Sequence, residues 1–338
     1  MAQTHETIIK AMGKADRDTT FDIMKGIGIL LVLLGHVWRA YIPITNHVIL
    51  SFHMPLFFII AGYFSKPFTN WTDFKGNLAK YFRRLVVPML LTETMITLWS
   101  ILIALTKGNS WDTVIVNALS IIWADVYGPN TPWGHVSLGV IWFLGALLVS
   151  KTLLMLLSRL NGWAIPVSLI ISYAAIMLNK VFPYSIWCIT LGMSALPFVV
   201  MGWWARNHPI PLWFKISCIA CWVLALFFSE LEMYAFRWEC YPLDILGACG
   251  ATYCVYLLSQ WIDRHTKVIG RVLVWLGITS LAIMCVHGFE LESHLGNHLR
   301  ALIGLDLSVA GLYVWRYAIT IAIAGLLIYI PKIKKIFV

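Results

Sequence analysis

Charge is scarce in this sequence. Only 12% of its 338 residues are Asp, Glu, Lys or Arg, about half the share found in soluble domains, which excludes an ordinary water-facing globular surface. Acidic residues are scarcer still, 16 against 25 basic ones, for a net charge of +9. A basic excess gathered in one patch would suggest nucleic acid. Here the basic residues sit in short loops between apolar spans, which argues against a nucleic-acid partner. A metal-binding cysteine quartet is also lacking. The seven cysteines lie mostly inside apolar stretches, as packing thiols do. Cys218 and Cys221 form a lone C-x-x-C within "FKISCIACWVLALFF", and structural zinc takes four ligands. No linker, low-complexity segment or internal repeat divides the chain.

What the chain has is apolar length. It is 60% hydrophobic with a mean hydropathy of +0.79, the composition of a polytopic, all-α membrane helix bundle. Reading for runs near twenty apolar residues predicts ten spans, at 23–42, 46–65, 85–106, 136–157, 163–179, 184–204, 212–229, 241–260, 268–289 and 307–330. The stretch 111–123 reads as an amphipathic piece on the surface. Residues 1–20 are expected to form a cytoplasmic tail and 21–338 one membrane domain. The first apolar run has no small-residue cleavage site after it, so that helix is expected to stay in the membrane. With both termini cytoplasmic, 19 lysines and arginines fall inside and 6 outside, a strong positive-inside bias. Glu230, Glu232, Glu239, Glu290 and Glu292 fall outside, and Trp38, Tyr41, Trp133, Trp187, Trp238 and Trp315 lie near the outer ends.

Polar residues at membrane depth are costly and mark function by default. Residues 25–36 read "KGIGILLVLLGH". Eleven helical steps are about three turns, so Lys25 and His36 share a face about 16 Å apart along the axis. His53 follows in "SFHMPLFFIIAGYF" on the returning span. The connecting loop is short, so the two helices pair antiparallel, with the histidines about 9 and 13 Å from the outer turn. They can share one cavity. Pro55 lacks a backbone donor and frees the Ser51 carbonyl beside His53. A lone intramembrane histidine is often a helix-to-helix hydrogen-bonder; two at similar depth above a same-face lysine favour chemistry. They lack a third ligand at motif spacing for a metal. Lys80, Arg83 and Arg84 in "KYFRRLVVP" read either as membrane anchors or as a phosphate site. Glu93, His287, Trp133, His135 and Trp142 are further isolated polar or aromatic candidates.

Taken in order, "FDIMKGIGILLVLLGH", "SFHMPLFFIIAGYF", "YFRRLVVP", "VIWFLGALL" and "SLAIMCVHGFE" resemble the acyltransferase-3 family of integral-membrane acyltransferases, its fucose O-acetylase-like branch above all. The resemblance implies ten helices in the bacterial cytoplasmic (inner) membrane and an acyl-coenzyme A donor, with acetyl-coenzyme A the expected form, entering from the cytoplasm. It implies a carbohydrate or lipid-linked glycan acceptor, with membrane lipids around the chain and no metal. The family's Arg-x10-His pair on the first helix maps onto Lys25 and His36, where lysine keeps the charge and loses the bidentate fork. On this mapping the donor phosphates meet Lys25, Lys80, Arg83 and Arg84, His36 is the general base, and His53 assists. Asp22, Glu93, His135, Trp142 and His287 are supporting or acceptor-side residues. Two rivals stand beside this reading: a proton-coupled transporter or acyl-group exporter using His36, His53 and Glu93, and an assembly subunit whose histidines only pack helices. Transporters usually show inverted repeats, and none is legible here.

Overall fold

The computed structural model describes residues 18–38, 43–127, 139–183 and 185–337; Trp133 and His135 lie outside the described residues. Helix α1, Thr19–Trp38, is almost wholly apolar after its first turn. The second predicted span divides into α2, Pro43–Leu50, and α3, His53–Tyr63. Phe52 leaves helical geometry at the junction, with φ −150° and ψ −16°. Pro55 has no N–H to offer the Ser51 carbonyl, so an unbroken helix would strand that oxygen. The Ser51 hydroxyl strengthens the break, donating to the Val48 carbonyl at 2.7 Å and accepting from the Trp222 indole at 3.1 Å.

Next come α4, Trp71–Tyr81, a single wide π turn over Phe82–Val86, and α5, Val87–Thr106. Asn70 caps α4 by accepting from the Asp73 N–H at 2.9 Å. Helix α6, Trp111–Tyr127, packs beside α5. A 3₁₀ turn at Gly139–Ile141 leads into α7, Trp142–Leu157, and α8 follows at Ala164–Val181. Short α9, Ile189–Ser194, bends by 53° into α10, Leu196–Asn207. Helix α11, Leu212–Phe228, leads to an antiparallel pair, β1 (Leu231–Glu232) and β2 (Arg237–Trp238). Helix α12 is Tyr241–His265; α13, Lys267–Ile278, bends by 67° into α14, Ser280–Ser293. Helices α15, Leu295–Leu302, α16, Val309–Leu327, and α17, Pro331–Phe337, complete the chain.

Among the described residues, six helices are long and apolar enough to cross a membrane, or eight when each bent pair is one span. The reading of ten separate runs differs for local reasons. From Gly139 onward, the runs 136–157 and 163–179 fall in one long helical stretch, Gly139–Val181, interrupted at Asn161, whose φ of 49° and ψ of −121° are not helical. The runs 184–204 and 268–289 are the bent pairs, and the run 212–229 is a 17-residue helix.

Backbones touch where glycine permits it. A Cβ on Gly62 would sit 1.9 Å from the Val199 carbonyl oxygen, and one on Gly202 would sit 2.0 Å from that of Ile59, locking α3 onto α10. Gly277 and Gly26 bring α13 onto α1, with the Asp22 and Leu273 carbonyls at 1.9 and 2.2 Å from the same construction. Small residues at helix crossings are how membrane helices gain close packing without a hydrophobic drive between them. Phe58, Phe198, Ile23, Ile29, Leu33 and Leu56 are fully buried in the resulting core.

Candidate active site

A cavity of about 770 Å³ runs between α1, α3, the end of α4 with the π turn after it, and α7. Its two ends differ in chemistry. At one end stand four cations: Lys25, Lys80, Arg84 and Lys151. Lys25 Nζ is held 2.6 Å from the Asp22 carboxylate, one helical turn back on α1, and the carboxylate is itself nearly buried. Lys151 comes from α7, donating to the Ala61 carbonyl at 3.5 Å with its ammonium 4.4 Å from the Tyr81 ring centroid. Lys80 and Arg84 are exposed on the turn where α4 widens into α5. The middle is apolar, with Ile29, Val32, Phe57 and Leu147 among its walls.

At the other end stand His36 and His53. His36 is exposed on the last turn of α1, its ring centroid 5.3 Å from that of buried His287 on α14. His53 is 6% exposed, and its Nδ1 lies 2.8 Å from the Ile49 carbonyl oxygen across the α2–α3 break. A carbonyl only accepts, so Nδ1 carries the proton and the neutral ring keeps its lone pair on Nε2. The interruption of the second span thus orients the ring. Trp142 flanks this end from the first turn of α7.

One cavity thus holds a cation cluster, an apolar passage and two imidazoles. A model of an acyltransferase domain matches residues 18–330. The chain belongs to the acyltransferase-3 family. It is similar to Nodulation protein NolL of Mesorhizobium japonicum, 31% identical over 182 residues, which cover 49% of this chain and 44% of that protein. It is also similar to Nodulation protein NolL of Sinorhizobium fredii, 29% identical over 199 residues, covering 56% and 49%. The chain therefore spans less than half the length of these curated relatives. No solved structure matches it.

Within this acyltransferase-3 domain, the residues expected from sequence fall into distinct places. Lys25, His36, His53, Lys80, Arg84 and Trp142 line the cavity. Asp22 lies behind Lys25 as its ion-pair partner. His287 lies behind His36, 1% exposed. Arg83 is exposed and outside the lining. Glu93 is 5% exposed on α5, outside the lining and near the Cys285 thiol of α14. Among the described residues, no group of three or more His, Cys, Asp or Glu side chains is placed to hold a metal ion.

Polar and aromatic cavity residues that the sequence does not mark as site residues include Lys151, Asn46, Tyr81, Glu232, Tyr234 and Glu292. Lys151 carries a usable signal, being the sole charge in the sixteen residues of "WFLGALLVSKTLLMLL". Nothing in sequence marks Asn46 or Tyr81, whose places depend on the α2–α3 break and the π turn.

Proposed function

We propose that the protein is a membrane O-acyltransferase. It moves an acyl group, acetyl in the simplest case, from cytoplasmic acyl-coenzyme A to a hydroxyl of a carbohydrate or lipid-linked glycan. The observation that carries this reading is the single cavity joining Lys25, Lys80, Arg84 and Lys151 to His36 and His53. The donor's phosphates bind the cations, with Arg84 offering a fork to phosphate oxygens and the lysines compact charges. The pantetheine arm follows the apolar wall, covering the three turns between Lys25 and His36, about 16 Å. The thioester then lies at the histidines.

His36 takes the proton of the acceptor hydroxyl, and the oxygen attacks the thioester carbonyl carbon. The carbon–sulfur bond breaks, an ester forms, and the leaving thiolate takes the proton back from the imidazolium. His53, held by the Ile49 carbonyl, presents Nε2 as an acceptor to a second, non-reacting hydroxyl of the acceptor sugar and so orients it. His287 supports the His36 ring from behind. Asp22 fixes the Lys25 ammonium.

The proposal includes the topology: ten spans in a bacterial cytoplasmic membrane, both termini inside. The Asn161 break supports counting α7 and α8 as two spans, and α11 at 17 residues is about 26 Å long. On this topology the cation end faces the cytoplasm and the histidine end lies nearer the outside. The test is reconstitution. Protein in liposomes, given labelled acetyl-coenzyme A on the cytoplasmic face, should release coenzyme A, and His36→Gln should not. Equal release by both would refute the mechanism, and acetyl-coenzyme A that stays intact in the wild type would refute the activity.

A further inference from the structure

Helix α17 comes back to the cavity after the last long span. In "PKIKKIF" helical periodicity sets Ile333, Ile336 and Phe337 on one face and leaves Lys332 and Lys335 outside it. Burial follows the pattern: the three apolar residues are half-buried and the two lysines exposed. The helix packs against α5 and the π turn that carries Arg84, and Phe337 lines the cavity. Docking a surface helix accounts for Ile333 and Ile336. It does not require an aromatic ring on the cavity wall.

A second ring stands open at the same end. Phe64 closes α3 and lines the cavity, yet it is 48% exposed. Phe21 and Tyr63 hold it in T-shaped contacts, with centroids 4.9 and 5.3 Å away. Phe21 lies one helical turn before Lys25 on α1, which sets Phe64 among the cations. Tyr81, a third aromatic wall residue here, already carries the Lys151 ammonium over its ring at 4.4 Å. Open aromatic surface is costly where water reaches it, and the neighbouring cations attract anions rather than more apolar chain. A ligand that answers both demands carries phosphates and a flat ring.

We propose that Phe64 and Phe337 form a nucleobase subsite, with the adenine of coenzyme A stacked on their rings while Lys25, Lys80 and Arg84 hold the phosphates. Stacking needs only the π face of the base, and an aromatic side chain supplies its counterpart. Helix α17 is then part of the donor site, and the π turn beneath it positions Arg84 and seats Phe337 together. This rests on the acyltransferase reading for the identity of the donor, so binding and chemistry are read separately.

The test is calorimetric titration of the full chain in nanodiscs with coenzyme A and with 4′-phosphopantetheine, which keeps the arm and one phosphate but lacks the base. Coenzyme A release from acetyl-coenzyme A is measured on the same wild-type samples. The wild type should bind coenzyme A at least about tenfold tighter than 4′-phosphopantetheine. Phe64→Leu and Phe337→Leu keep apolar bulk and lose the flat face; each should weaken coenzyme A about tenfold and leave 4′-phosphopantetheine unchanged. Phe337→Trp should bind coenzyme A as the wild type does. Leucine variants that bind coenzyme A normally, or that lose both ligands equally, overturn the subsite even where coenzyme A is released. Base-dependent binding without release upholds the subsite and removes the acyltransferase reading.

Discussion

The two ends of the cavity are built differently. The cation end is assembled from exposed or half-exposed side chains on four elements: Lys25 on α1, Lys80 at the end of α4, Arg84 in the π turn and Lys151 on α7. Lys25 has a carboxylate partner, Asp22, within its own helix. The histidine end is held more tightly. His53 is buried and bonded to Ile49, His36 has His287 behind it, and the Glu290–Arg316 pair is buried on the neighbouring α14 and α16. The difference matches the two tasks proposed for them. A charged nucleotide can be captured at a solvated rim by several cations, each contributing modestly. Proton transfer needs a base held in hydrogen-bond reach of one hydroxyl.

The comparison breaks most visibly at the histidines. His36→Gln should lower kcat by about a hundred- to ten-thousand-fold while coenzyme A still binds, because glutamine keeps a polar side chain but cannot take the proton. Steady-state kinetics with a binding titration reads both quantities. His53→Ala should lower kcat less, by about tenfold, since it removes an orienting group and spares the base.

At the other end the effect should move to KM. Lys25→Ala and Arg84→Ala should each raise the KM for acetyl-coenzyme A about tenfold with kcat near wild type, and Lys25→Arg should be tolerated. Arg83→Ala should do least, because Arg83 stands outside the cavity that its neighbour lines. A KM as disturbed in Arg83→Ala as in Arg84→Ala would show that the basic motif acts as a diffuse surface charge.

Much of the cavity's long axis was legible in sequence. Lys25 and His36 share a face because helical periodicity is a local property, and "KGIGILLVLLGH" carries it without help from the rest of the chain. Pro55 signalled trouble in the second span, although the full break at Phe52 and the ring bond to Ile49 needed the fold. Membrane character followed from composition. The division into spans was less legible, because a bend and a boundary look alike in an apolar run: Ala195, two residues before Pro197, and Thr279, beside Ser280, carry bends of 53° and 67°, and a lone proline or a polar pair also occurs within unbroken spans. Glu232 shows the limit most clearly. Sequence set it in an outer loop, and only the two-stranded sheet brings it to the cavity beside Tyr234.

The central claim is that one elongated donor touches both ends of the cavity at once. It is tested most directly by shortening the donor and removing the cations together. S-acetylpantetheine keeps the thioester and the arm but lacks the nucleotide. The wild type should prefer acetyl-coenzyme A to S-acetylpantetheine strongly in kcat/KM. The Lys25→Ala/Arg84→Ala double variant should lose at least about tenfold of that preference, while turning over S-acetylpantetheine much as the wild type does. A variant that keeps the full wild-type preference would contradict the account, because the cations lining the cavity would then not be holding the nucleotide.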